Sequence, residues 1–127
     1  MLKIQNQAAP VGRLLIAAIF VISGWGKITG FAGTQAYMEA MGVPGALLPV
    51  VIALEIVGGI AIIIGWQTRI AALALAGFTL LAGLLFHGDT GDQMQMIMLL
   101  KNVAIAGGLL LLFAFGPGAY ALDGRKS

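Results

Sequence analysis

Residues 46–66 read ALLPVVIALEIVGGIAIIIGW, a run of apolar side chains broken by one charge, Glu55. A helix needs about 17–25 mostly apolar residues to cross the hydrocarbon core of a bilayer, and this stretch has that length. Three more stretches qualify, at 11–28, 70–86 and 94–115. Lipid cannot satisfy loose backbone groups, so each is expected to be a helix. The short alternating strands of a membrane barrel are not visible. The predicted fold is all-α: a four-transmembrane-helix bundle forming a single domain over 1–127.

Composition agrees. The chain is 60% hydrophobic and 9% charged, whereas soluble domains carry about 25% charged residues. So little polar surface cannot cover a water-soluble globule. The chain has no cysteine, which excludes disulfide exchange, thiolate catalysis and thiolate metal sites. One histidine, His87, cannot supply both axial ligands of a bis-histidine haem. The seven Lys and Arg are scattered, so no nucleic-acid partner is expected. Lys3 ahead of an apolar run invites a signal-peptide reading. The run ends in Gly24-Trp25-Gly26-Lys27 without a small-x-small cleavage pattern, and reads as a retained first span.

The breaks are well marked: Gly42-Val43-Pro44, the tight connection Gly65-Trp66-Gln67-Thr68-Arg69, the polar turn from His87 to Asp92, and Gly116-Pro117-Gly118. Between spans one and two, Phe31 to Met41 is too short to cross. Tyr37, Met38 and Met41 share a helical face there, which predicts a short interfacial helix. Lys3, Arg13, Arg69, Arg125 and Lys126 fall on one side of the bundle, and Lys27 on the other with Glu39, Asp89 and Asp92. The positive-inside rule then puts both termini in the cytoplasm. Trp25 and Trp66 sit near span ends, where aromatic belts form.

Two ionisable residues lie well inside spans, Glu55 and Lys101. Each costs roughly 2.5–3.5 kcal/mol at the bilayer centre. Counted from Ala46 and Met94, their depths are about 13 and 10 Å, so opposite charges at matching depth can pair. Small residues on the same faces, Gly58 and Gly59 after Glu55 and Ala104 and Gly108 after Lys101, point both charges into the bundle. Ala61/Gly65 and Ala72/Ala76 are further small-xxx-small pairs. Two readings stay open: an ion pair that fixes helix register, or a polar site that binds a ligand or relays protons. Asn102 and His87 extend the site. Lys27 either joins it or, the simpler expectation, snorkels to the headgroups. Arg13 reads as an orientation anchor, with Asp123 on the same side as its candidate partner. Neither His87-x-Asp89-x-x-Asp92 nor Met94, Met96 and Met98 makes a convincing metal set, and no metal is expected.

These residues resemble the DoxX family of small four-span bacterial membrane proteins. The resemblance runs from about Arg13 to Asp123. It rests on the order and spacing of Gly24 to Phe31, Tyr37-Met38, Gly42-Val43-Pro44, Glu55 with Gly58-Gly59, Gly65 to Arg69, His87, Lys101 to Gly107, and Gly116-Pro117-Gly118 ahead of Leu122-Asp123. It implies an inner-membrane bundle linked to quinone-dependent oxidoreductases, and places a site at Glu55, Lys101 and Asn102. No residue matches a cofactor motif, so no intrinsic cofactor is expected and quinone is the ligand to consider. The expected partners are the lipid bilayer, a membrane redox subunit and a second copy of the chain. The leading functional reading is an accessory subunit of a quinone-linked redox system. Its alternatives are a proton-coupled transporter or exporter component acting as a homo-oligomer, and a structural assembly subunit.

Overall fold

The computed structural model describes residues 2–87 and 91–118, and is helical throughout apart from its turns. The elements are α1 (Leu2–Thr29), α2 (Phe31–Ala40), a single 3-10 turn (Gly45–Leu47), α3 (Leu48–Ile64), α4 (Thr68–Phe86) and α5 (Gln93–Phe115). Among the described residues four segments are long and apolar enough to span a membrane: Gln7–Thr29, Gly45–Ile64, Thr68–Phe86 and Gln93–Phe115. They coincide with the four predicted spans to within a few residues. The first begins earlier than expected because helix continues through Pro10.

Local chemistry sets the ends. Gly65 adopts a left-handed conformation (φ 75°) that favours glycine. Around it the Trp66 N–H donates to the Ala61 carbonyl at 2.8 Å and the Gly65 N–H to that of Ile62 at 3.2 Å, a Schellman ending. Trp66 therefore falls outside α3. Asp92 caps α5, its side chain accepting a hydrogen bond from the Met94 N–H at 3.1 Å. Ten residues make α2 about 15 Å long, half of what a crossing needs. It is tied down by Tyr37 stacking on Phe86 (centroids 5.3 Å apart) and by Gln35 donating to the Gly45 carbonyl. Met38 is buried, while Tyr37 and Met41 stay largely exposed.

The helices form two pairs, α1 with α3 and α4 with α5, joined where α3 meets α4. Small residues set the close approaches. A Cβ on Gly59 would lie 2.8 Å from Val21, one on Gly58 3.1 Å from Leu75, and one on Gly83 3.1 Å from Asn102. Among the described residues α3 and α5 do not touch; they are diagonal in the bundle. The packed core (Ala17, Phe20, Ala61, Ile62, Ala71, Ala72, Leu75, Ala76, Ala106 and Leu109) fills the half near the α3–α4 turn. The half nearer α2 is hollow.

Arg13 closes the packed end. Its guanidinium, 1% exposed, donates to the carbonyls of Ile62 (3.3 Å) and Ile63 (3.0 Å). These carbonyls belong to the last turn of α3, where a cation is favoured. Arg13 is thus a helix cap as well as the expected anchor. Asp123, its expected partner, lies outside the described residues, as do Asp89, Arg125 and Lys126.

Candidate functional site: a polar-ended cavity between two helix pairs

The hollow half holds a partly open cavity of about 370 Å³ between the α1–α3 pair and the α4–α5 pair, with α2 on one side. Most of its lining is apolar, from Ile19, Phe20, Met38, Phe78, Leu85 and Ile105 among others. All five residues singled out in the sequence, Lys27, Glu55, His87, Lys101 and Asn102, line this one cavity. Their mutual arrangement differs from the expected one.

Glu55 lies ten residues into the second span, about 15 Å along a helix and so near mid-bilayer. Its side chain is 5% exposed, and its ion-pair partner is Lys27 at 2.7 Å, not Lys101. Two physical facts decide this. Matching depth gives contact only between neighbouring helices, and α5 is diagonal to α3 whereas α1 packs directly on it. Helical side chains also lean toward the N-terminus of their own helix. For Lys27, near the C-terminal end of α1, that direction leads back into the bundle. Its ammonium accordingly donates to Ser23 Oγ one turn earlier (2.6 Å) as well as to Glu55 Oε1. Lys27 does not snorkel outward. One N–H of Lys27 and the second oxygen of Glu55 have no partner among the described residues.

The opposite wall carries a second polar group. The Asn102 side chain donates from Nδ2 to the Thr79 carbonyl at 3.1 Å, linking α5 to α4 beside Gly83. Thr79 is one of the residues around the cavity, and its hydroxyl is buried with no hydrogen-bond partner among the described residues. Lys101 is more open than expected. It is exposed along the cavity wall, makes no ion pair among the described residues, and has the exposed Ala104 one turn further along its helix. At the α2 end, His87 Nδ1 lies 2.7 Å from Gln95 Oε1.

Sequence reasoning missed Ser23, whose signal was its place four residues before Lys27. It also missed Thr79, a lone hydroxyl in an otherwise apolar stretch of α4. Met94, Met96 and Met98 do not line the cavity, and Asp92 is occupied as a cap.

Four apolar helices around a cavity with charges at mid-bilayer depth define a small multi-pass membrane protein with an internal polar site. The chain belongs to the DoxX family, which it matches over residues 8–88. It is 53% identical over 123 residues to the Escherichia coli (strain K12) inner membrane protein YqjF, covering 97% of this chain and 95% of that one. It is 39% identical over 122 residues to the inner membrane protein YphA of the same strain, covering 91% and 87%. It is 26% identical over 133 residues to the putative oxidoreductase CatD of Bacillus subtilis (strain 168), covering 96% of each. No solved structure matches the chain. It is a multi-pass inner-membrane protein of this family.

Proposed function

We propose that the chain is a small accessory subunit of a quinone-linked redox system, and that the cavity receives the quinone headgroup. The observation that carries this is the cavity itself: an apolar chamber within the bilayer span, of a size typical of small-molecule sites, with polar groups on two facing walls. Quinone carbonyls accept hydrogen bonds, and the donors available are Lys27, Lys101, Asn102 and the Thr79 hydroxyl. Reduction of a quinone takes two electrons and two protons. Glu55 is the group suited to pass a proton, since one of its oxygens is uncommitted. This chain brings no redox cofactor ligands that its sequence reveals, so the electrons come from a partner subunit. The name of the Bacillus subtilis relative, putative oxidoreductase, is in keeping with that assignment. Arg13 and Arg69 share the end of the bundle opposite α2, which makes that end cytoplasmic by the positive-inside rule, with both termini on that side.

The test is native mass spectrometry of the protein extracted from its own membrane in mild detergent, with quinone quantified in the extract. We expect a quinone, or a partner carrying flavin, haem or iron–sulfur, bound to the native chain, and a reduced quinone content in Glu55→Gln and Lys101→Met. A bare protein with ordinary phospholipid, and variants with unchanged quinone content and respiration, would overturn the reading and move weight to transport or assembly.

A further inference from the structure

Among the described residues the charged side chains around the cavity do not balance. Lys27 and Glu55 neutralise one another across the α1–α3 wall at 2.7 Å. On the α4–α5 wall stands Lys101, a cation within a membrane span, with no counter-charge among the described residues. An ammonium in that setting is costly without an anion or water. Beside it in sequence is Asn102, whose Nδ2 is committed to the Thr79 carbonyl. Thr79, 4% exposed, is one of the residues around the cavity, and its buried hydroxyl has no partner among the described residues. A buried hydroxyl left unpaired costs about 1–3 kcal/mol, so a site that keeps one is arranged for a group that arrives from elsewhere. Both unsatisfied groups on this wall can donate, and one is positively charged.

We propose that Lys101 and Thr79, held in place by Asn102, form an anion-receiving subsite, so that the preferred ligand is an amphiphile presenting a negatively charged oxygen to the α4–α5 wall. The ligand's apolar part lies among Phe78, Leu85 and Ile105. The route in is from the bilayer. α1 approaches α5 where Ile16 meets Gly108, and the segment after α5 where Ala9 meets Gly118, away from the hollow half. If the ligand is the quinone assigned above, the subsite favours ionised forms of its headgroup over neutral ones; the inference rests on that reading only for the quinone, not for the anion. A fatty carboxylate offers the same charged oxygen from a different source.

The test uses purified full-length protein in mild detergent and three probes: hydroxynaphthoquinone, which is ionised at neutral pH, neutral methylnaphthoquinone, and dodecanoate. We expect the ionised quinone to bind at least about 10-fold more tightly than the neutral one, the size of one charge-assisted hydrogen bond. The preference should fall to near unity in Lys101→Met and persist in Lys101→Arg, with Thr79→Val lowering it part-way and the melting temperature checking the fold of each. Equal binding of the two quinones, or a preference indifferent to Lys101→Met, overturns the anion subsite and leaves the quinone reading standing. Dodecanoate binding that depends on Lys101, with neither quinone bound, overturns the quinone reading and keeps the subsite. Failure of all three probes overturns both.

Discussion

Substituting Lys27 by Met removes the counter-charge of a carboxylate whose side chain is 5% exposed near mid-bilayer. Methionine keeps the stem that packs along α1, so the change is chiefly electrostatic. Glu55 is then left without its cation, and breaking a buried pair from one side costs about 3–5 kcal/mol. Lys27→Met should therefore destabilise the bundle by about 3–5 kcal/mol. The assay is an SDS titration in mixed micelles, following tryptophan fluorescence as the bundle is lost. Glu55→Leu combined with Lys27→Met removes both charges and should return stability to within about 1 kcal/mol of the parent, because an apolar pair replaces a buried ion pair at little cost. Lys101→Met, at an exposed cation without an ion-pair partner among the described residues, should change stability by less than about 0.5 kcal/mol. A silent Lys27→Met beside a strongly destabilising Lys101→Met would refute the pairing across α1 and α3. Additive effects of the two substitutions at 27 and 55 would refute the coupling itself.

Arg13→Leu should cost about 3 kcal/mol in the same titration, since two last-turn carbonyls of α3 lose a charged donor that is fully buried. Gly59→Ala should cost about 1–3 kcal/mol, because its Cβ would lie 2.8 Å from Val21 and 3.3 Å from the Ala17 carbonyl oxygen, whereas Gly77→Ala, with nothing within 4 Å, should be neutral or slightly stabilising. Asp92→Ala should cost about 1 kcal/mol through loss of the α5 cap, with no difference between chelator-treated and untreated protein. The cysteine-free chain permits single-cysteine labelling of intact cells with an impermeant maleimide. Ala36→Cys on α2 should label, and Trp66→Cys in the α3–α4 turn only after the membrane is opened; the reverse pattern would invert the proposed orientation.

The spans were legible because each needs only length and apolar content, and lipid leaves the backbone no choice but helix. Ends were legible where a residue type enforces them, as Gly65 does by its left-handed conformation. Membership of the site was legible too, since an ionisable or amide side chain deep in an apolar span has few places to go but an internal cavity. What could not be read was who meets whom. Depth along a helix follows from counting residues, but neighbour relations follow from the order of helices around the bundle, which counting does not supply. Glu55 and Lys101 match in depth and sit on diagonal helices, so the match has no consequence. The case of Lys27 was open to a sharper rule. A lysine at the N-terminal end of a span leans outward and can snorkel, whereas one near the C-terminal end leans inward along its own helix.

That asymmetry bears on how the cavity stays open. A carboxylate as deep in the span as Glu55 needs an internal cation. Lys27 supplies the cation from the end of α1 rather than from across the bundle, so the pair is completed within the α1–α3 wall and nothing has to cross the space between the walls. The same holds opposite, where the Asn102 amide bonds the Thr79 carbonyl within the α4–α5 wall. Each helix pair therefore satisfies most of its own polar groups, and the two pairs meet tightly only toward the α3–α4 turn. A bundle built to be solid would have joined the walls through these side chains. Keeping the contacts within each wall leaves the chamber between them, with Lys101 and the Thr79 hydroxyl as the donors that still lack acceptors.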